Sequence, residues 1–236
     1  MNSGTLYLIP TNLADPVRTD AILPRDVIAR ALALDHFIAE DAKTARAFLK
    51  AIGVTRPLQE ISIVELDKHR ADTTSVELLA PLMAGKDVGL VSEAGAPGVA
   101  DPGAEVMALA HTHRIAVSPL VGPSSILLGL MASGLNGQRF AFHGYLPVDK
   151  AERSRVIAEL ERESRQRKMT QIFIETPYRN QSLLGDLLAT LSKSTRLVIA
   201  QDLTGPTPAI TSRSVAGWKQ APAELSRSPA LFLLLA

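Results

Sequence analysis

The chain has 236 residues, 46% hydrophobic and 21% charged, with 25 Lys and Arg against 24 Asp and Glu for a net charge of +1. This composition excludes intrinsic disorder and a globally basic nucleic-acid field, and the length suits one large domain or two compact ones. The absence of cysteine excludes disulfides, thiolate nucleophiles and sulfur-rich zinc sites, and no apolar run reaches the roughly 18 residues of a membrane span.

In chain order, the first residues, MNSGTLYLIPTNLADP, lack the basic segment and long apolar stretch of a secretory signal, so a cytoplasmic setting is expected. Short apolar runs then alternate with amphipathic ones. Strands are predicted over 5–9, 36–39, 62–66, 88–91 and 115–117, each buried on both faces of a mostly parallel sheet. Helices are predicted over 24–33, 43–51, 75–84 and 102–111. Asp101 is expected to cap the last of these with Pro102 in its first turn, and Gly85 to close the third. His111 and His113, two apart near a helix end, point to different faces, so no shared metal ion is expected. The turn-rich stretch 118–125 opens a helix running to about Ser133 and marks the expected boundary between domains 1–120 and 121–236. Beyond it come strands over 139–143, 171–175, 196–202, 210–214 and 230–235 and helices over 150–167 and 180–191. The less regular order suggests a mixed sheet, and the fold class is α/β with two α/β domains.

Ligands in open α/β sheets lie beyond the carboxyl ends of the strands, so the segments after each strand carry the candidate chemistry. The turn from Pro10 to Pro16 is polar but lacks the glycines of a dinucleotide or phosphate loop, and Asp15 reads equally as an Asx turn. The stretch from Ser92 to Gly103 holds three Gly and two Pro in twelve residues. Glycine admits a ligand close to the backbone and proline limits the loop's freedom, which points to binding. Gly122-Pro123-Ser124-Ser125 offers N–H groups and hydroxyls for a carboxylate or hydroxyl, or an ordinary helix cap. The strand ending in Glu175-Thr176-Pro177-Tyr178-Arg179 offers backbone for an adenine edge and two side chains for a substrate. Glu40 and Asp41 after the second strand, and Asp67-Lys68-His69 after the third, suit acid–base work or acceptor positioning, and equally suit helix starts. The segment from Lys150 to Lys168 carries seven basic residues and four Glu, a solvated face first and an RNA-contacting face second.

Together these stretches resemble the tetrapyrrole methylase superfamily, the class III S-adenosylmethionine-dependent methyltransferases. Within it they are most similar to the branch containing the 16S ribosomal RNA cytidine 2′-O-methyltransferases. The matching residues are Leu6 to Pro10 with Asn12 to Asp15, Ala39 to Asp41, Val91 to Gly103, Gly122 to Ser125, Ala132 to Leu135, Gly144 to Pro147 with Glu152-Arg153, and Phe173 to Arg179. The resemblance implies two α/β domains with a cofactor cleft, S-adenosylmethionine as cofactor, and a homodimer. It implies cofactor contacts at Pro10, Gly95, Ala96, Pro97, Gly98, Val99, Ser125, Ile126, Glu175 and Thr176. The first loop departs from the ribosomal branch, with Thr11 and Ala14 at or near its glycine positions. The ribosomal members also continue where this chain ends at Ala236, with the expectation of fewer RNA contacts.

Methyl transfer from a sulfonium is an in-line displacement that needs alignment of the acceptor and exclusion of water. Glu40, Asp41, His69, Tyr178 and Arg179 are the expected acceptor contacts, with no one of them singled out as base. Three readings stay open: an RNA acceptor, a small-molecule acceptor such as a tetrapyrrole-like polycarboxylate, and a non-catalytic S-adenosylmethionine-binding protein. No membrane partner is expected.

Overall fold

Five short runs, β1 (Thr5–Ile9), β2 (His36–Ala39), β3 (Ser62–Glu65), β4 (Val88–Val91) and β5 (Ala116–Pro119), form a sheet of order β3-β2-β4-β1-β5 with every pairing parallel. Parallel neighbours require crossovers, which here place helices on both faces. Side chains alternate accordingly. Ile9, Phe37 and Val91 pack with α2 (Arg25–Leu32) and α3 (Ala42–Ala51), whereas Leu6, Ile38, Val88 and Leu90 pack with Leu79, Leu82 and α5 (Ala104–Thr112). The computed structural model describes residues 3–14, 19–66 and 76–236, and divides the chain into Met1–Ser124 and Ser125–Ala236, four residues beyond the expected boundary.

Three expectations for this unit need correction. Only the central β4 is buried at every position; β3 and β5 are the edges of the sheet and keep one side partly in water, and the inner β1 and β2 are partly exposed at three positions and one. The third predicted helix is instead a 3-10 turn over Val76–Leu79 followed by the short α4 (Ala80–Met83). Pro81, at the first turn of α4, lacks the N–H and the clearance that a continuous α-helix would need. Asp101 does not cap α5. The loop continues through Pro102 to Gly103, whose φ of +122° turns the chain into the helix and whose missing Cβ leaves room for Leu90. Gly85 does follow α4 with φ +82°. A four-residue α1 (Thr19–Ile22) and a 3-10 turn at Leu58–Glu60 have no counterpart in the sequence reading.

The second unit is a mixed sheet of order β6-β7-β10-β8-β9, from β6 (Phe140–Tyr145), β7 (Thr170–Glu175), β8 (Arg196–Gln201), β9 (Ala209–Ser214) and β10 (Ala230–Leu235). β6 and β7 are parallel; β10 runs antiparallel to β7 and β8, and β8 to β9. The strand ends of β7 and β8 therefore share one edge, and their starts the other. Phe173 and Phe232 stack at 5.8 Å within a core that also takes residues from α7 (Lys150–Arg167), α8 (Asn180–Thr190) and α9 (Val215–Gln220). α6 (Ser125–Ser133) packs on β10 and β9, with Gly129 so close that a Cβ there would lie 2.1 Å from Leu231 Cδ2. The predicted helix α7 matches its observed bounds. Its reading as a solvated face holds only in part, because Arg153 and Glu161 are buried.

Candidate active site

In the first unit the parallel register brings the carboxyl ends of β1, β2 and β4 to one edge of the sheet. Pro10, Glu40, Asp41 and Gly95 to Val99 all follow these ends. Two hydroxyls join the β1 and β4 loops. Thr11 donates its backbone N–H to the Gly95 carbonyl at 2.9 Å and its hydroxyl to the Ser92 carbonyl at 3.2 Å. Ser92 Oγ donates to the same Gly95 carbonyl at 2.6 Å. Both side chains are buried. Thr11 thus has a role that a glycine could not fill.

The loop beyond is shaped by backbone that few side chains tolerate. Gly95 and Gly98 have φ of +79° and +74°, and Ala100 has +62°. A Cβ at Gly95 would lie 3.0 Å from Leu13 Cδ2, and one at Gly122 would fall 2.1 Å from Pro10 Cγ. The β1, β4 and β5 loops are therefore in close approach around Pro10 and Gly95. Beside them Asn12 Oδ1 is buried with no hydrogen-bond partner among the described residues. A buried unpaired acceptor is costly unless something donates to it.

Asp41 is the N-cap of α3, with Oδ1 accepting the Thr44 backbone N–H at 2.6 Å and the Thr44 hydroxyl at 2.8 Å. The Thr44 N–H first, then its hydroxyl, hold the Asp41 carboxyl below the usual carboxylate range. Glu65 Oε1 accepts the Ala42 N–H at 2.8 Å, so two carboxylates satisfy this helix start. Asp15, Asp67, Lys68 and His69 lie outside the described residues.

In the second unit Glu175, Thr176, Tyr178 and Arg179 cluster at the end of β7. The Glu175 carboxylate is fully buried; Oε1 accepts the Thr176 N–H at 2.7 Å, and Oε2 lies 3.0 Å from an Arg179 nitrogen. That last contact is an ion pair without hydrogen-bond alignment. The same Arg179 nitrogen donates to the Leu146 and Pro147 carbonyls at 3.2 Å. Arg179 is thereby a brace between the ends of β6 and β7, while Tyr178 is 96% exposed. Asn180 Oδ1 and Thr204 Oγ1, at the ends of β7 and β8, are buried without a partner among the described residues. Ser125 opens α6, and Ile126 is buried behind it.

The sequence reading passed over Thr11 and Ser92 as a linked pair, and over Asn12, Asn180 and Thr204. Finding the pair required the strand order, since only the adjacency of β1 and β4 sets those hydroxyls side by side. The buried Arg153–Asp186 pair, with nitrogens at 2.5 and 2.8 Å from Oδ2, was hidden in a helix that reads as charged throughout.

No family model matches the chain. It is similar to ribosomal RNA small subunit methyltransferase I of Synechocystis, at 34% identity over 85% of this chain and 67% of that protein. The protein of that name from Xylella fastidiosa is 35% identical over 85% of this chain and 69% of its own length. That of Escherichia coli O157:H7 is 32% identical over 86% of this chain and 66% of its own. Identity at that level, spread across both units, establishes kinship: the chain belongs to the ribosomal RNA small subunit methyltransferase I family and is a methyltransferase.

Proposed function

We propose that the chain transfers a methyl group from S-adenosylmethionine to a ribose 2′-hydroxyl of small-subunit ribosomal RNA. The observation that carries this reading is the 34–35% identity, over 85% of the chain, to proteins named for that RNA. The residues present fit the cofactor. Asn12 Oδ1, a buried acceptor unpaired among the described residues and set beside Pro10 and Gly95, suits a hydroxyl or amino donor of S-adenosylmethionine. Positive-φ glycines at 95 and 98 leave backbone accessible without an intervening Cβ. Pro10, Gly95, Ala96, Pro97, Gly98, Val99, Ser125, Ile126, Glu175 and Thr176 are the proposed cofactor contacts. When bound, the cofactor supplies an electrophilic methyl group on a sulfonium.

The chain's own part is to hold the acceptor oxygen in line and exclude water. Tyr178, almost fully exposed, suits stacking on a nucleobase. Arg179 is a positioning residue that fixes the β7 turn through Glu175 and two carbonyls. Asp41, kept anionic by Thr44, is a poor proton acceptor at neutral pH. Glu40 and His69 remain as the groups whose chemistry suits removal of the hydroxyl proton. We extend the reading to a homodimer, on the resemblance, and to a cytoplasmic setting. No helix among the described residues is long and apolar enough to cross a membrane.

Nucleoside analysis of small ribosomal subunits after incubation with the protein and S-adenosylmethionine tests this. A gain of one 2′-O-methylated nucleoside is expected; methylation confined to a base would overturn the ribose assignment.

A further inference from the structure

We propose that the strand-start edge of the second unit is a docking surface for the sugar–phosphate backbone of RNA, a second contact remote from the β7 and β8 ends of that unit. The proposal rests on the RNA reading above. Six-residue strands separate the two edges by about 20 Å, so one RNA would meet them through different segments.

The chain is nearly neutral overall, yet its charges at this edge are one-sided. The last turns of α7 bring Arg162, Arg165 and Arg167 there, and its C-cap is Lys168. The turn before β6 packs against that C-cap: Asn136 Nδ2 donates to the Lys168 carbonyl at 2.6 Å, and Arg139 Nη1 to the Arg167 carbonyl at 3.5 Å. From the start of β8, Arg196 donates to the Gly134 carbonyl at 3.1 Å, while Lys193 lies in the preceding turn. All seven cations are exposed. Two side-chain carboxylates lie among them, and Ala236, after β10, donates its N–H to Ser164 Oγ at this edge at 3.0 Å. Glu163 pairs with Arg167 at 3.4 Å, and the buried Glu161 pairs with Arg165 at 3.8 Å and accepts hydrogen bonds from Ser192 and Thr195.

A helix C-terminus favours one or two cations in its last turn. That explains Arg165 and Arg167 but not Arg139, Lys193 or Arg196, which come from other elements. Lys168 is more telling. It adopts φ +50°, ψ +47°, the left-handed conformation where glycine is favoured, so lysine is held there against a conformational cost. Arg139, tethered through Nη1 alone, and Arg196, tethered through Nη1 to Gly134 and Nη2 to Ser212, keep further N–H donors for phosphate oxygens, and polyphosphate chains reward several such cations at once through counterion release.

The test uses the full chain, purified small ribosomal subunits as probe, and the triple substitution Arg162→Gln, Lys168→Gly and Lys193→Gln. A control, Arg25→Gln, Arg46→Gln and Lys50→Gln, removes equal charge from exposed positions of the first unit. Neutralising the edge is expected to weaken binding at least tenfold at 0.1 M salt. The slope of log K against log salt should shrink by about 2 to 3, with S-adenosylmethionine affinity unchanged within twofold and the control within twofold of wild type. Lys168→Gly alone should weaken binding without lowering the thermal midpoint, which separates a contact from a fold defect. Wild-type binding and slope in the edge variant, with RNA still methylated, would overturn the docking surface and leave the RNA reading standing. Absence of both binding and RNA methylation by the wild type would overturn both. Binding of the wild type to phosphatidylglycerol vesicles, and not to subunits, would replace the partner and overturn the proposal.

Discussion

Gly95 and Gly122 show how single absent methyl groups set the candidate site. Alanine at Gly95 would occupy a left-handed backbone at a cost of about 1–2 kcal/mol and press on Leu13. On the proposed reading Gly95→Ala lowers S-adenosylmethionine affinity at least tenfold by calorimetry while the circular dichroism spectrum is kept. Gly122→Ala is expected to be more damaging than Gly98→Ala, even though alanine at Gly98 also carries the left-handed cost at φ +74°. A Cβ at Gly122 would meet the rigid ring of Pro10 at 2.1 Å, whereas at Gly98 it would meet the movable end of Met107 at 2.3 Å. Asp41 gives a pH-dependent expectation. Its carboxyl is lowered from 3.8 on folding, so its contribution is complete above that value and is lost as pH falls through the lower, folded value. Asp41→Ala should therefore lower the thermal midpoint at neutral pH, and the gap to wild type should close only below about pH 4. A gap that instead widened on acidification would contradict the capping role.

Arg153 and Asp186 tie α7 to α8 inside the second unit, with both side chains nearly inaccessible and Arg153 Nη1 also serving the Pro147 and Val148 carbonyls. Removing Arg153 leaves the buried Asp186 with only the exposed Lys150 Nζ at 3.9 Å, so Arg153→Met is expected to cost about 3 kcal/mol in denaturant unfolding. The pair Arg153→Met with Asp186→Leu should be milder than either single change, since no unpaired charge is left. Element positions were largely legible in the sequence because period and punctuation agreed. β2, β4 and β10 sit where apolar runs placed them, and α7 has the bounds read for the charged segment. α9 was missed: six residues with an internal glycine carry too little periodicity, although Ser214 caps it and Trp218 anchors it by donating to the Leu197 carbonyl at 2.9 Å. The strand edges were misjudged because order in a sheet is non-local. The glycine loop after β4 was legible from its composition, whereas the Thr11–Ser92 link was not, since it exists only once β1 and β4 are neighbours.

At the scale of the molecule, each unit assembles its candidate residues by sheet topology. A parallel sheet gathers the loops of β1, β2 and β4, and a mixed sheet gathers those of β7 and β8. Kinship establishes methyl transfer; the acceptor is the proposal's step beyond it. The most direct measurement is transfer of a labelled methyl group from S-adenosylmethionine by the purified chain, with small ribosomal subunits and a protein-free metabolite extract offered in parallel. Label in the small-subunit ribosomal RNA is the expected result. Label in the metabolites alone, with the ribosomal RNA unlabelled, would contradict it.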